Sequence, residues 1–171
     1  AEQTRERDMR EAVDALDELM QLTRDTELDA DMLRKLLRAE IEAGQIDVES
    51  EDRTILIRIR ERGSFTSGSA YLNSDFLAVI DKIGVALGQI EGRIAVEGHT
   101  DSIPMNSFAY PSNWDLAVSR AASVTRRLVK AETGINPKRI TASGFAETRP
   151  QATNATPEGR ARNRRVEIIV K

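Results

Sequence analysis

Among the residues of this chain that could do chemistry, carboxylates and guanidiniums dominate, because there is no cysteine and a single histidine, His99. Thiolate zinc sites, thiol nucleophiles and disulfides are therefore excluded. One imidazole supplies neither a multi-histidine metal site nor a ready hydrolytic triad. The polar run Val96-Glu97-Gly98-His99-Thr100-Asp101 sits where a strand gives way to a loop, a place where polar groups are displayed on a rigid scaffold. Gly98 lets the backbone turn, and Asp101 projects beyond the sheet edge. Downstream, Asn113-Trp114-Asp115-Leu116 opens a helix that carries Ser119-Arg120-Ala121. Arg120 lies about two turns into that helix, so its side chain reaches back toward the helix start. A carboxylate and a guanidinium meeting there would hold a ligand bearing both an ammonium and a carboxylate. Helix-start N–H groups would add affinity for anions. Spacing alone keeps a second reading open, in which Asp101 and Arg120 pair with each other as a structural salt bridge.

The neighbouring polar and aromatic residues have plainer roles. His99 is expected to be a strand-end residue hydrogen-bonded to its loop. Trp114 is expected to pack under that loop, with stacking on a sugar as the alternative. Asn113 is expected to cap the helix it begins. Arg160, Arg162, Arg164 and Arg165 form a basic run without interleaved aromatics or a broader basic face, which argues for local ligand and sheet-edge roles and against nucleic acid.

The elements that must position these groups follow from periodicity. In residues 1–26, Met9, Val13, Leu16, Leu19 or Met20, and Leu22 or Thr23 recur in steps of three and four, an amphipathic helix that either packs on the following domain or pairs with a copy of itself. Thr26-Glu27-Leu28-Asp29 is close to a capping box and predicts a second helix through Leu33, Leu36, Leu37 and Ile41 to a stop at Gly44. Alternating Ile46 and Val48, a turn at Glu51-Asp52, and alternating Ile55, Ile57 and Ile59 predict a hairpin. A loop from Gly63 to Ala70 leads to a helix capped near Asn73 and carrying Phe76, Val79, Ile80, Ile83 and Leu87. Then come a strand at 93–97, a helix from about Asn113 to Thr133 stopped by Gly134 and Pro137, and a strand at 140–145. Thr156-Pro157 starts a short helix, and the last strand spans 166–170. The order β-β-α-β-α-β-α-β predicts an α+β fold: a two-layer sandwich whose sheet is covered on one face by helices, behind an N-terminal helical linker.

Composition sets the outer limits. The chain has 171 residues, 40% hydrophobic and 31% charged, with a net charge of −3, which offers no global attraction to nucleic acid or anionic lipid. No run of about 18 apolar residues is present to span a membrane. The start at Ala without a signal peptide is expected of a piece of something longer, with an upstream anchor outside it. No cofactor and no metal are expected. A wall hydrolase would need a general acid and base in one pocket, which a lone histidine and scattered carboxylates do not supply.

The C-terminal stretch Asn154 to Ile168, with its core Asn163-Arg164-Arg165, combines with Gly98-His99-Thr100-Asp101, Ser119-Arg120-Ala121 and Gly144-Phe145-Ala146-Glu147 with Pro150. Separated motifs in this order strongly resemble the OmpA-like peptidoglycan-binding domain family over about residues 45–171. The resemblance implies a mixed sheet of OmpA-like type and a domain at 45–171 behind a linker or regulatory segment at 1–44. It implies that Asp101 accepts hydrogen bonds from the side-chain ammonium of diaminopimelate in the peptidoglycan stem peptide, and that Arg120 clamps the adjacent carboxylate. Arg164 matches a position near the same pocket, and Thr100 and Asn113 match positions lining it or fixing its loop. Two departures stand out: Leu116-Ala117 replaces the family's common Leu-Ser, and the loop between Asp101 and Asn113 is longer than in many members.

Pro111-Ser112-Asn113-Trp114-Asp115-Leu116-Ala117, with Gly63-Ser64-Phe65 and Ser67-Gly68-Ser69-Ala70, further resembles the periplasmic part of flagellar stator B subunits of the MotB and PomB kind. That likeness implies a non-catalytic anchor of the flagellar motor to the cell wall. It also implies a homodimer, a stator A subunit partner met through an absent membrane segment, and a periplasmic domain of a protein anchored in the inner membrane. The alternative is a general cell-envelope anchor, such as an outer-membrane protein tail or lipoprotein, without a motor role.

Overall fold

A computed structural model describes all residues, 1–171, as five helices and one five-stranded sheet. The strands are β1 (Ile46–Glu51), β2 (Thr54–Arg60), β3 (Ile94–His99), β4 (Ile140–Gly144) and β5 (Arg165–Val170), in the spatial order β1-β2-β5-β3-β4. Only β3 and β4 run parallel; every other pair is antiparallel, so the sheet is mixed. The last strand of the chain is central. Arg165 therefore does not sit on a sheet edge as its sequence context suggested, since β5 is hydrogen-bonded on both sides, to β2 and β3.

Side chains alternate across each strand, so one face takes Ile46, Ile55, Ile57, Ile59, Ile94, Val96, Val166, Ile168 and Val170. Against it pack α3 (Ser74–Gly88), through Phe76, Ile80, Ile83 and Leu87, and α4 (Asn113–Leu128), through Ala121, Val124 and Leu128. The predicted two-layer sandwich with helices on one face is the fold found. On the opposite face the register lines up Asp47, Arg58, Glu167 and Glu97 across four strands, a ladder of mostly alternating charge.

Two helix boundaries differ from the sequence reading. Residues Glu2–Leu36 form one continuous helix, α1, with no break at Thr26. The Thr26 hydroxyl donates to the Leu22 carbonyl and that of Thr23 to the Leu19 carbonyl, so both back-bond inside the helix rather than capping a new one. After a bend at Leu37, α2 (Arg38–Glu42) ends before Gly44, whose φ of 74° reverses the chain. At the other boundary, α4 stops at Leu128 and the chain tightens into a 3-10 turn at Ala131–Thr133. There the Thr133 hydroxyl donates to the carbonyls of Leu128 and Lys130.

The two ends of α1 differ in environment. Residues 1–25 are exposed on every side, and the stripe of Met9, Val13, Leu16 and Met20 is covered by no other part of this chain. Ala30, Leu33 and Leu37 are fully buried in the common core. Arg34 fastens this end to β1, donating to the Val48 carbonyl and the Ser50 hydroxyl while pairing with Glu27 and Asp31. No helix is long and apolar enough to cross a membrane.

Candidate functional site

At one end of the sheet the strand-end motif, the start of α4 and the 61–70 loop converge, and close packing makes this possible. A Cβ added to Gly98 would lie 2.0 Å from the Ala117 carbonyl oxygen, so β3 and α4 touch backbone to backbone. Ala117 is fully buried at this contact. Arg120, one turn further along the same face of α4, is thereby carried under the 61–70 loop.

Arg120 is 2% exposed, and every acceptor it uses comes from that loop region. Its Nε donates to the Ser69 carbonyl at 2.8 Å, Nη1 to Glu61 Oε2 at 2.5 Å, and Nη2 to the Thr66 carbonyl at 3.4 Å. The guanidinium lies 4.9 Å from the centroid of the Phe65 ring, a cation–π contact. A carboxylate, two carbonyls and an aromatic face supply the partners that a buried charge requires.

Asp101 is approached from the other side. The Thr100 N–H donates to the Ala146 carbonyl, and the Thr100 hydroxyl donates to the Asp101 carbonyl, which fixes the start of the loop. Ala146, at φ 51°, sits in the left-handed region that a non-glycine residue enters at some cost, and its carbonyl is aimed by that conformation. Asp101 Oδ1 accepts from the Ile103 N–H two residues on, an Asx turn, and Oδ2 accepts from Arg164 Nη1 at 2.8 Å.

Asp101 and Arg120 do not pair with each other. They are the ends of a four-membered chain of alternating charge, Arg120–Glu61–Arg164–Asp101, completed by Arg164 Nε donating to Glu61 Oε1 at 3.0 Å. Burial works against the charge on Arg164, but its hydrogen bond to Asp101 and the fields of Glu61 and Asp101 outweigh this and hold its pKa above the ordinary arginine value. Around the chain lies a cleft of about 350 Å³, lined also by Ser67, Thr100, Met105 and Asn113. All five expected site residues, Asp101, Arg120, Arg164, Thr100 and Asn113, therefore face one cleft.

Glu61 is the residue that the sequence reading missed. It follows β2 directly, and its N–H donates to the Arg164 carbonyl, extending the β2–β5 ladder by one step. That pairing puts it beside a residue 103 positions away. The only local hint is an acid just before the Gly63-Ser64-Phe65 motif.

Three expectations about the surroundings are corrected. Ser112, not Asn113, caps α4, its hydroxyl accepting from the Asp115 N–H. Asn113 instead pins the loop: Oδ1 accepts from the Met105 N–H while Nδ2 donates to the Ile103 carbonyl and to Glu147. Trp114 is 50% exposed at the first turn of α4 and not packed under the loop, because its position points away from the sheet. The His99 ring makes no hydrogen bond to the loop; it stacks on Phe145 with centroids 5.5 Å apart, and both ring nitrogens are buried without partners. Burial, reinforced by Arg165, Arg149 and Arg58, pushes its pKa down to about 3, so the ring is neutral.

The arrangement offers an acid and a base displayed at a cleft, with hydrogen-bonding capacity for a small zwitterionic group. The chain is 32% identical over 127 residues to Motility protein B of Bacillus subtilis, covering 74% of this chain and 48% of that protein. It superposes on a putative MotB-like protein from Desulfovibrio vulgaris with a TM-score of 0.79 at 26% identity, over 90% of this chain and 94% of that one. It superposes on the cell wall anchor of the T6SS from Pseudomonas aeruginosa with a TM-score of 0.74 at 40% identity, over 81% and 95% of the two chains. The chain spans about half the length of the curated relatives that it matches over most of its own length. The sequence profile of the OmpA family matches residues 64–164, a stretch that holds Asp101, Arg120 and Arg164. The chain belongs to the OmpA family.

Proposed function

We propose that this domain binds peptidoglycan without catalysis, taking the diaminopimelate end of a stem peptide into the cleft at Asp101, and so anchors a flagellar motor stator to the cell wall. The observation that carries the reading is the convergence of Asp101, Arg164, Glu61 and Arg120 on one cleft. In this reading the ligand ammonium donates to Asp101 and its carboxylate is clamped by Arg120 and Arg164. Arg164, at 32% side-chain exposure, is the more accessible of the two arginines. Thr100 and Asn113 hold the loop that closes one wall.

The stator role draws on the likeness to Motility protein B and the MotB-like structure. In this reading the domain lies in the periplasm, is joined to the inner membrane and to a stator A subunit through segments outside this sequence, and works as a homodimer. Torque on a rotor requires a fixed stator, and the wall lies beyond the membrane, so reach matters. The proposed device is the segment 1–44, docked on the core at 45–171 when inactive and released to extend on activation. An extended chain covers more than twice the length per residue of a helix. An engineered disulfide locking this segment to the core should abolish motility under oxidising conditions; full swimming with the crosslink formed rejects the device.

The second reading, a general envelope anchor without a motor role, is favoured by the 40% identity to the T6SS cell wall anchor. Deletion of the gene separates the two: loss of swimming supports the stator, and normal swimming supports the general anchor. Wall binding itself is tested by co-sedimentation with purified sacculi. Wild type should pellet, while Asp101→Ala and Arg120→Ala should stay in solution with circular dichroism confirming that both are folded. Unchanged co-sedimentation of both folded variants removes the site assignment.

A further inference from the structure

A second cleft, larger than the first, lies on the flank where α1 and α2 meet the sheet and encloses about 580 Å³. Its cations come from three separate stretches: Arg34, Lys35 and Arg38 from the α1–α2 bend, Arg58 and Arg60 from β2, and Arg162 from α5 (Pro157–Asn163). Three carboxylates share it, Glu42, Asp47 and Glu49. Six cations against three anions make the lining positive by three charges, on a chain whose total is −3.

Two of the carboxylates are already used. Arg58 Nη1 lies 3.1 Å from Glu49 and 3.8 Å from Asp47, and Arg60 Nη2 lies 2.7 Å from Asp47. Arg34 is paired with Glu27 and Asp31. Lys35, Arg38 and Arg162 enter no ion pair and no hydrogen bond, and all three are exposed. The Arg58 side chain is nine-tenths buried, yet its Nε has no hydrogen-bond partner. Only Ile41 and Val48 are apolar among the residues lining the cleft, so a ligand here is recognised by charge and not by apolar burial.

We propose that this cleft is a binding site for a ligand carrying two or more phosphate groups. Converging cations repel one another when the site is empty, and a multivalent anion relieves that repulsion. Planar guanidinium forks match phosphate oxygens in geometry as well as charge. Arg34 is compensated by Glu27 and Asp31 outside the lining, so the uncompensated cations are Lys35, Arg38 and Arg162; a single carboxylate cancels one of these three, whereas each phosphomonoester carries about −1.5 to −2. The ligand would bridge the base of α1 to the sheet and α5, so its binding also fastens α1 to the core. The site is independent of the Asp101 cleft, with which it shares no residue.

The test is calorimetric titration of the whole 171-residue chain with sodium tripolyphosphate, in low salt and in about 0.15 M salt. A second arm measures co-sedimentation with vesicles of cardiolipin, whose headgroup carries two phosphates, and, as control, of phosphatidylcholine. The variant is Lys35→Ala/Arg38→Ala/Arg162→Ala, which removes no internal ion pair or hydrogen bond. The expected result is saturable tripolyphosphate binding that weakens with salt, falls at least tenfold in the triple variant and is unchanged in Asp101→Ala. Binding confined to cardiolipin vesicles and lost in the triple variant supports the same chemistry with a lipid headgroup as the source. No binding in either arm, or binding equal in wild type and triple variant, overturns the proposal.

Discussion

Replacing Glu61 by Gln tests whether the four-membered charge chain is what holds the cleft together. The side chain keeps its shape but loses its charge, and one of its two oxygens becomes an N–H donor facing an arginine. Arg120 is 2% exposed, and its other partners are the two neutral carbonyls of Ser69 and Thr66. A charge-assisted hydrogen bond contributes about 1.5–3 kcal/mol, and breaking a buried pair costs about 3–5 kcal/mol. The remaining carbonyls and the Phe65 ring soften the loss, so about 3 kcal/mol is expected for Glu61→Gln. For a chain of this size that lowers Tm by about 6–12 °C. Urea unfolding of wild type, the variant and a double-mutant cycle would measure it. The Glu61–Arg120 coupling should exceed the Glu61–Arg164 coupling, because Arg164 is 32% exposed and water screens it. A loss below about 0.5 kcal/mol, or the opposite order of couplings, would refute the argument that Glu61 is the hub.

His99 makes acid stability pH-dependent. Its folded pKa of about 3 lies below the unfolded value near 6.5, so the unfolded state binds more protons between these limits. Stability should therefore rise with pH from about 3 to 6.5, by up to about 5 kcal/mol. Glu97, whose pKa is raised by burial and by Glu167, works in the opposite direction above pH 4.5 and reduces the net slope. His99→Phe, which keeps a ring against Phe145, should flatten the rise; an unchanged profile from pH-resolved urea unfolding would contradict the assignment. Gly98→Ala should cost about 3 kcal/mol, since its methyl meets the Ala117 carbonyl and α4 must shift; a urea midpoint equal to wild type would mean that β3 and α4 are less tightly apposed. Leu33→Ala should destabilise the whole domain by about 2–5 kcal/mol, because Leu33 belongs to the common core. Loss of α1 amide protection with no change in global stability would show instead that α1 docks as a separate unit.

The elements were legible wherever the apolar period was strong and the chain's own turns closed it. The Ile46–Ile59 hairpin, the Phe76–Leu87 helix and the terminal strand all read correctly, because period two or 3.6 with a stop is a local property. Thr26 misled for a local reason as well: a hydroxyl before a carboxylate caps a helix only when the backbone leaves the helix there, and at Thr26 it does not. Asp101, Arg120 and Arg164 were singled out in the sequence by the motifs that carry them, and the structure brings them to one cleft.

How those charges are partnered was decided by the tertiary structure. Placing β5 between β2 and β3 brings Glu61 to Arg164 across 103 residues, and the backbone contact of Gly98 with Ala117 sets Arg120 beneath the loop that carries its acceptors. The same holds for the cationic cleft, whose arginines belong to three segments with no common motif. Sequence determined which groups the chain has and which local elements carry them. Ion pairing depends on distances of a few ångströms between residues far apart in the chain, and those distances exist only once the sheet order and the helix docking are in place.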